Sequence, residues 1–175
     1  MSNDFKPRKL SGLLVSTFAL ATAGFAGDSL AAGTASTNLG VSATVAGTCT
    51  LATNPLAFGS YDATTAGVTS GQGTVIVTCT DGTVATVTLG EGLNPFSPNA
   101  AAPFRQMAFG TNRLGYFIYT DAAHATVWGN TIATGVTQTF TGIGGSPLVV
   151  YGTITAAQNV PVGNYVDTVV ATITF

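Results

Sequence analysis

The chain has 175 residues, five Lys or Arg against seven Asp or Glu, and a hydrophobic fraction of 46% with only 7% charged residues. Past residue 32 the lysines are gone, and Arg105 and Arg113 stand against Asp62, Asp81, Glu91, Asp121 and Asp167. Such a body offers no cationic surface for nucleic acid or anionic lipid. Surface charge normally keeps an exported monomer soluble, so its scarcity points to a subunit covered by neighbours.

Residues 1–32 have the three parts of a secretory signal: basic Lys6, Arg8 and Lys9, an apolar run from Leu10 to Phe25, and the small-x-small box Ser29-Leu30-Ala31. Cleavage after Ala26, Ala31 or Ala32 is chemically acceptable, and no later run approaches the roughly 18 apolar residues of a membrane span. Next comes a tail, 33–37, and then Leu39, Val41, Ala43 and Val45 alternate with Asn38, Gly40, Ser42 and Thr44. Ala46-Gly47-Thr48 supplies a hinge before Cys49. This amphipathic ribbon is either the first strand of its own sandwich or a strand for another molecule's sheet edge.

Cys49 and Cys79 each lie in a short Val/Thr-type stretch. In an exported chain this predicts a disulfide pinning two strands, worth roughly 3–4 kcal/mol in the loop-closure picture. Zinc would ask for more ligands at closer spacing. Val75, Val77 and Cys79 share one face while Thr74, Ile76 and Thr78 take the other, and Ala85, Val87 and Leu89 alternate with Thr86 and Thr88. Asp81-Gly82 between these two runs predicts a hairpin. Further strands are expected at Leu114, Tyr116 and Ile118, from Leu148 to Thr155, and through Val169, Ala171, Ile173 and Phe175. With breaker-rich loops at 94–98 and 142–147, the pattern is all-β: one domain of roughly six or seven short strands, arranged as a sandwich.

No constellation for catalysis emerges. His124 is the sole histidine and reads as part of a surface loop, without the partners that a general base or a metal ligand needs. Gly142–Gly145 lacks the Lys and Ser/Thr of a phosphate loop and reads as a turn. Cys49 and Cys79 are too far apart for a CxxC redox site. Trp128, Tyr116, Tyr119, Tyr151 and Tyr165 fit a core or interface better than a sugar-binding surface. Arg105 and Asp167 are candidates for a structural pair.

In order along the chain, Cys49-Thr50-Leu51, Phe58-Gly59-Ser60-Tyr61, Val75-Ile76-Val77-Thr78-Cys79-Thr80, Arg105-Gln106-Met107, the run 114–121, Val127-Trp128-Gly129, Tyr151-Gly152-Thr153-Ile154 and the run 161–169 resemble the spore coat protein U domain. That domain is also the building block of archaic, Csu-type chaperone–usher pili. The resemblance implies an immunoglobulin-like sandwich that lacks its last strand and is completed by a donor strand from a neighbouring subunit. The domain is then 49–175, preceded by the signal and by a donor extension with hinge at 33–48. Leu39, Val41, Ala43 and Val45 become the plug for a neighbour's groove, worth on the order of 5–8 kcal/mol of apolar burial before costs.

By the same resemblance Val169, Ala171, Ile173 and Phe175 form the final strand that zips onto a periplasmic chaperone. The implied function is that of a shaft or minor pilus subunit, not a two-domain tip. It is exported through the periplasm, polymerised by an outer-membrane usher and displayed on the cell surface for adhesion and biofilm formation. Its partners are copies of itself or neighbouring subunits, with no nucleic acid, cofactor, metal or catalysis. The alternatives are a secreted coat protein built on the same domain and, from a different class, a small exported hydrolase or carbohydrate-binding module.

Overall fold

The computed structural model describes residues 33–64, 67–140 and 145–175. The expected export signal and most of the Gly142–Gly145 turn lie outside the described residues. The chain divides into two units, one ending at Ser42 and one running from Ala43 to Phe175. In the first, residues 33–42 are exposed throughout and form no strand.

The second unit is all-β. Its strands are β1 (Cys49–Ala57), β2 (Thr69–Cys79), β3 (Val84–Leu89), β4 (Arg105–Phe109), β5 (Asn112–Tyr119), β6 (Val136–Thr139), β7 (Ser146–Ile154) and β8 (Ala171–Thr174), with a 3-10 turn at Ile132–Thr134. One sheet has the order β1-β2-β7-β5-β4 and the other β6-β3-β8, and every ladder is antiparallel. Two strands exceed the expected set. The four residues of β6 are too few to display a period, and β4 begins on an arginine, which hides its inward face.

The period-two pattern translates directly into packing on β2, where Val75, Val77 and Cys79 are buried and the intervening residues are half-exposed. They meet Ala85, Val87 and Leu89 from β3, Leu114, Tyr116 and Ile118 from β5, and Trp128, Phe140, Val150 and Ile154. On β3 the outward Thr86 and Thr88 are buried as well. This strand is central in its sheet, and the backbone at Gly135 lies against both threonine methyl groups.

The hairpin expected at Asp81-Gly82 is not formed. Both edges of β2 are occupied, by β1 and by β7, and β3 belongs to the other sheet. A turn is present, closed by Thr83 N donating to Thr80 O at 3.1 Å, with Gly82 at φ 78°. The tight hairpin turn needs a positive φ at both central residues, and Asp81 does not have one. A positive φ at the second position alone matches a type II turn, which splays its flanking strands. The chain therefore crosses between the sheets here.

Arg105 and Trp128 lock the two sheets together, and both are fully buried. Trp128 Nε1 donates to Val87 O at 2.9 Å. From β4 in the larger sheet, Arg105 donates Nε to Gly90 O at 2.8 Å and Nη2 to Leu89 O at 2.9 Å and Trp128 O at 2.8 Å. Among the described residues its Nη1 has no hydrogen-bond partner. Burial lowers the guanidinium to about 10, against the opposing pull of Tyr116, Asp167 and Glu91. The expected Arg105–Asp167 pair is replaced by these bonds to carbonyls, because Asp167 is engaged elsewhere.

Candidate functional site

The site is a groove between the outer edge strand of each sheet. Strand β1 ends the larger sheet and β8 ends the smaller one. Between them opens a groove of about 480 Å³ whose walls include Leu56, Phe58, Met107, Tyr116, Val169 and Ala171. In a complete sandwich this is core. Here it has an opening with a β-edge on each side.

Local sequence explains the β1 wall. The β1–β2 register runs from Cys49 opposite Cys79 to Asn54 opposite Thr74, then shifts before Ala57. Pro55 falls inside that shift; lacking an N–H, it suits an edge strand or a bulge. The irregularity turns Leu56 and Phe58 inward over Gly152 of β7. A Cβ there would lie 2.7 Å from Leu56 Cδ2 and 2.8 Å from Phe58 Cζ, so only glycine leaves room for these two side chains. Phe58 then meets Tyr116 edge-on at 5.8 Å. Leu56, Phe58 and Met107 were not singled out as site residues, since no alternation marks them. The nearest signals are the family motifs at 58–61 and 105–107, which contain Phe58 and Met107.

At one end the groove becomes polar. Tyr116 Oη donates to Asp167 Oδ2 at 2.7 Å, and Asp167 Oδ1 accepts from Leu93 N at 2.9 Å and Thr168 N at 2.8 Å. Burial, reinforced by the bond to Asp167, pushes the Tyr116 hydroxyl well above its ordinary 10.0.

Outside the groove, at the start of β1, stands the expected disulfide. Cys49 and Cys79 are bonded, with their Cα atoms 4.1 Å apart, directly across the β1–β2 ladder. The stretch expected to act as a hinge precedes it and is tied to the body, with Thr48 N donating to Thr80 Oγ at 3.1 Å and Thr80 Oγ donating to Ala46 O at 3.4 Å.

Leu39, Val41 and Val45 are 86, 87 and 81% exposed, and the 33–48 stretch carries no strand. Val169, Ala171 and Ile173 are half-buried against the core, whereas Phe175 is exposed. Of the aromatics, Trp128 and Tyr116 lie inside the sandwich. Tyr119 and Tyr151 are half-buried and flank His124, with ring centroids 5.2 and 6.4 Å away, and Tyr165 packs beside Phe109 at 5.7 Å.

The His124 loop is shaped by Asp121, whose carboxylate accepts from Ala125 N at 3.1 Å and Thr126 N at 2.9 Å. Those bonds hold Asp121 below its usual 3.8. They also leave His124 at φ 56°, against two aromatic rings. Among the described residues no group of three or more His, Cys, Asp or Glu is placed to hold a metal ion.

Chemically, the groove suits an extended peptide. Exposed backbone edges extend a ladder, and an apolar floor takes alternate side chains.

A profile of the Spore Coat Protein U domain matches residues 35–172. Protein U of Myxococcus xanthus is 43% identical over 157 residues, which cover 82% of this chain and 87% of that protein. Among solved structures, the CsuC–CsuE chaperone–tip adhesion subunit pre-assembly complex from the archaic chaperone-usher Csu pili of Acinetobacter baumannii is similar, with a TM-score of 0.56 at 24% identity. That match covers 75% of this chain but only 40% of the other, and it shows a shared immunoglobulin-like fold. By sequence, this chain belongs to the spore coat protein U domain family.

Proposed function

We propose that this protein is a structural subunit of a surface fibre assembled by donor-strand exchange. The single observation that carries the reading is the groove between the edges of β1 and β8. Leu39, Val41, Ala43 and Val45 of the next copy enter it. Burial of the three larger side chains contributes on the order of 5–8 kcal/mol before ordering costs, and the inserted backbone caps two aggregation-prone edges. The exposure of the ribbon supports this over a first strand of its own sandwich.

Before assembly a periplasmic chaperone lends the missing strand, zipping along Val169, Ala171, Ile173 and Phe175, and an outer-membrane usher exchanges it for the neighbour's ribbon. The fibre is displayed on the cell surface, where it supports adhesion and biofilm formation. The fold shared with a subunit captured in a chaperone complex supports the chaperone step.

The test is an unboiled gel of the purified chain beside a variant lacking residues 33–46. A ladder of stable oligomers from the first and none from the second is expected. Equal ladders would overturn the reading. The relative named Protein U and the family's own description favour a second reading, a secreted coat protein that forms no fibre. Electron microscopy of expressing and deleted cells separates the two, since only the first loses fibres on deletion.

A further inference from the structure

At the polar end, the groove opens onto a rim of apolar side chains. Leu93, Phe109, Val162 and Val166 are 71, 43, 102 and 60% exposed. They are contiguous: Phe109 packs beside Tyr165 and over Gly163, the neighbour of Val162. Val166 exchanges two backbone bonds with Ala108, at 2.8 and 3.1 Å, and Leu93 is bonded to Asp167.

The opposite pole carries the root of the ribbon. There Cys49, the Thr80–Thr83 turn and the β8 end at Thr174 come together, with Thr174 opposite Thr86. Resting on the donor-strand reading, a ribbon inserted antiparallel to β8, and so parallel to the oppositely running β1, has Leu39 near Phe175 and Val45 near the rim. Only Ala46, Gly47 and Thr48 then separate Val45 from the bridged Cys49, a reach of at most about 14 Å. Ala46 and Thr48 are themselves bonded to Thr80 of their own body. So short a tether brings the body of the donating copy against the mouth of the groove.

We propose that the rim formed by Leu93, Phe109, Val162 and Val166 is the seat for the body of the next copy, which closes on it with its Thr80–Val84 turn. Val84 on that turn is 59% exposed, so an apolar side chain is available on the facing surface. The contact is head-to-tail, between two different patches of one chain, and so repeats along a fibre without closing.

The experiment uses the full chain and a Leu93→Glu/Val162→Glu variant, neither position being part of the groove wall. Two readouts are taken: the unboiled-gel ladder, and capture of a fluorescent synthetic peptide spanning residues 33–47. The expected result is unchanged peptide capture with a roughly tenfold loss of oligomers, because each contact would have to bury carboxylates against apolar groups. A variant ladder equal to the wild type overturns the seat. Peptide capture falling in step with the ladder also overturns it, since the substitutions would then act on the groove. A wild-type chain that captures no peptide and forms no ladder brings down the donor-strand reading itself, and the seat with it.

Discussion

Strand β2 and the 39–45 ribbon have the same design and opposite environments. Each alternates apolar residues with small polar ones, Val75, Val77 and Cys79 in the first and Leu39, Val41, Ala43 and Val45 in the second. Val77 is fully buried, with β1 and β7 on either side of its strand, whereas Val41 is 87% exposed. Alternation thus confers the capacity to be buried on one face of a sheet, and a free edge beside an unfilled core decides whether the capacity is used. The molecule has such an edge at β8, and the ribbon has the side chains for it.

Placing charge on the ribbon tests the comparison most severely. Leu39→Asp/Val41→Asp is expected to abolish the oligomer ladder while changing the unfolding free energy of the unassembled body by no more than about 0.5 kcal/mol, as for exposed sites generally. A comparable loss of body stability would show that the ribbon is an ordinary strand of its own sandwich.

Next in size is Arg105→Ala. It leaves the carbonyls of Leu89, Gly90 and Trp128 without this donor, and should cost about 3 kcal/mol or more in denaturant unfolding. The loss is expected in the body whether or not a donor strand is present, which separates the closed side of the sandwich from its open side.

The smallest effect is a pH dependence at the polar end of the groove. Because the folded state raises the Tyr116 hydroxyl above its ordinary 10.0, the stabilisation is complete below pH 10 and is lost as pH rises beyond it. Tyr116→Phe should flatten the stability profile above pH 10 relative to wild type, by roughly 1 kcal/mol per pH unit, measured by denaturant titration. Parallel profiles would mean that the Tyr116–Asp167 bond does not govern that end of the groove.

What was legible in the sequence was local and periodic. The inward faces of β2, β3 and β5 follow from alternation over six or more residues. The cysteine pair follows from its flanking strands and the expected export signal, and the ribbon stands out because its alternation stops at the small residues Ala46 and Gly47 before Cys49. The sheet assignment of each strand was not legible. The Asp81-Gly82 turn looks like a hairpin until β1 and β7 are seen to occupy both edges of β2. Nor does sequence reveal that Arg105 donates to three carbonyls instead of pairing with Asp167, since such a bond set depends on where β3 ends in space. The groove likewise depends on Leu56 and Phe58 crossing over Gly152, a contact between residues almost a hundred positions apart. Local alternation determined which residues seek burial, because side-chain direction repeats every two residues along any strand. Tertiary structure decided which edges remain open, because an edge exists only relative to the strands that fail to cover it.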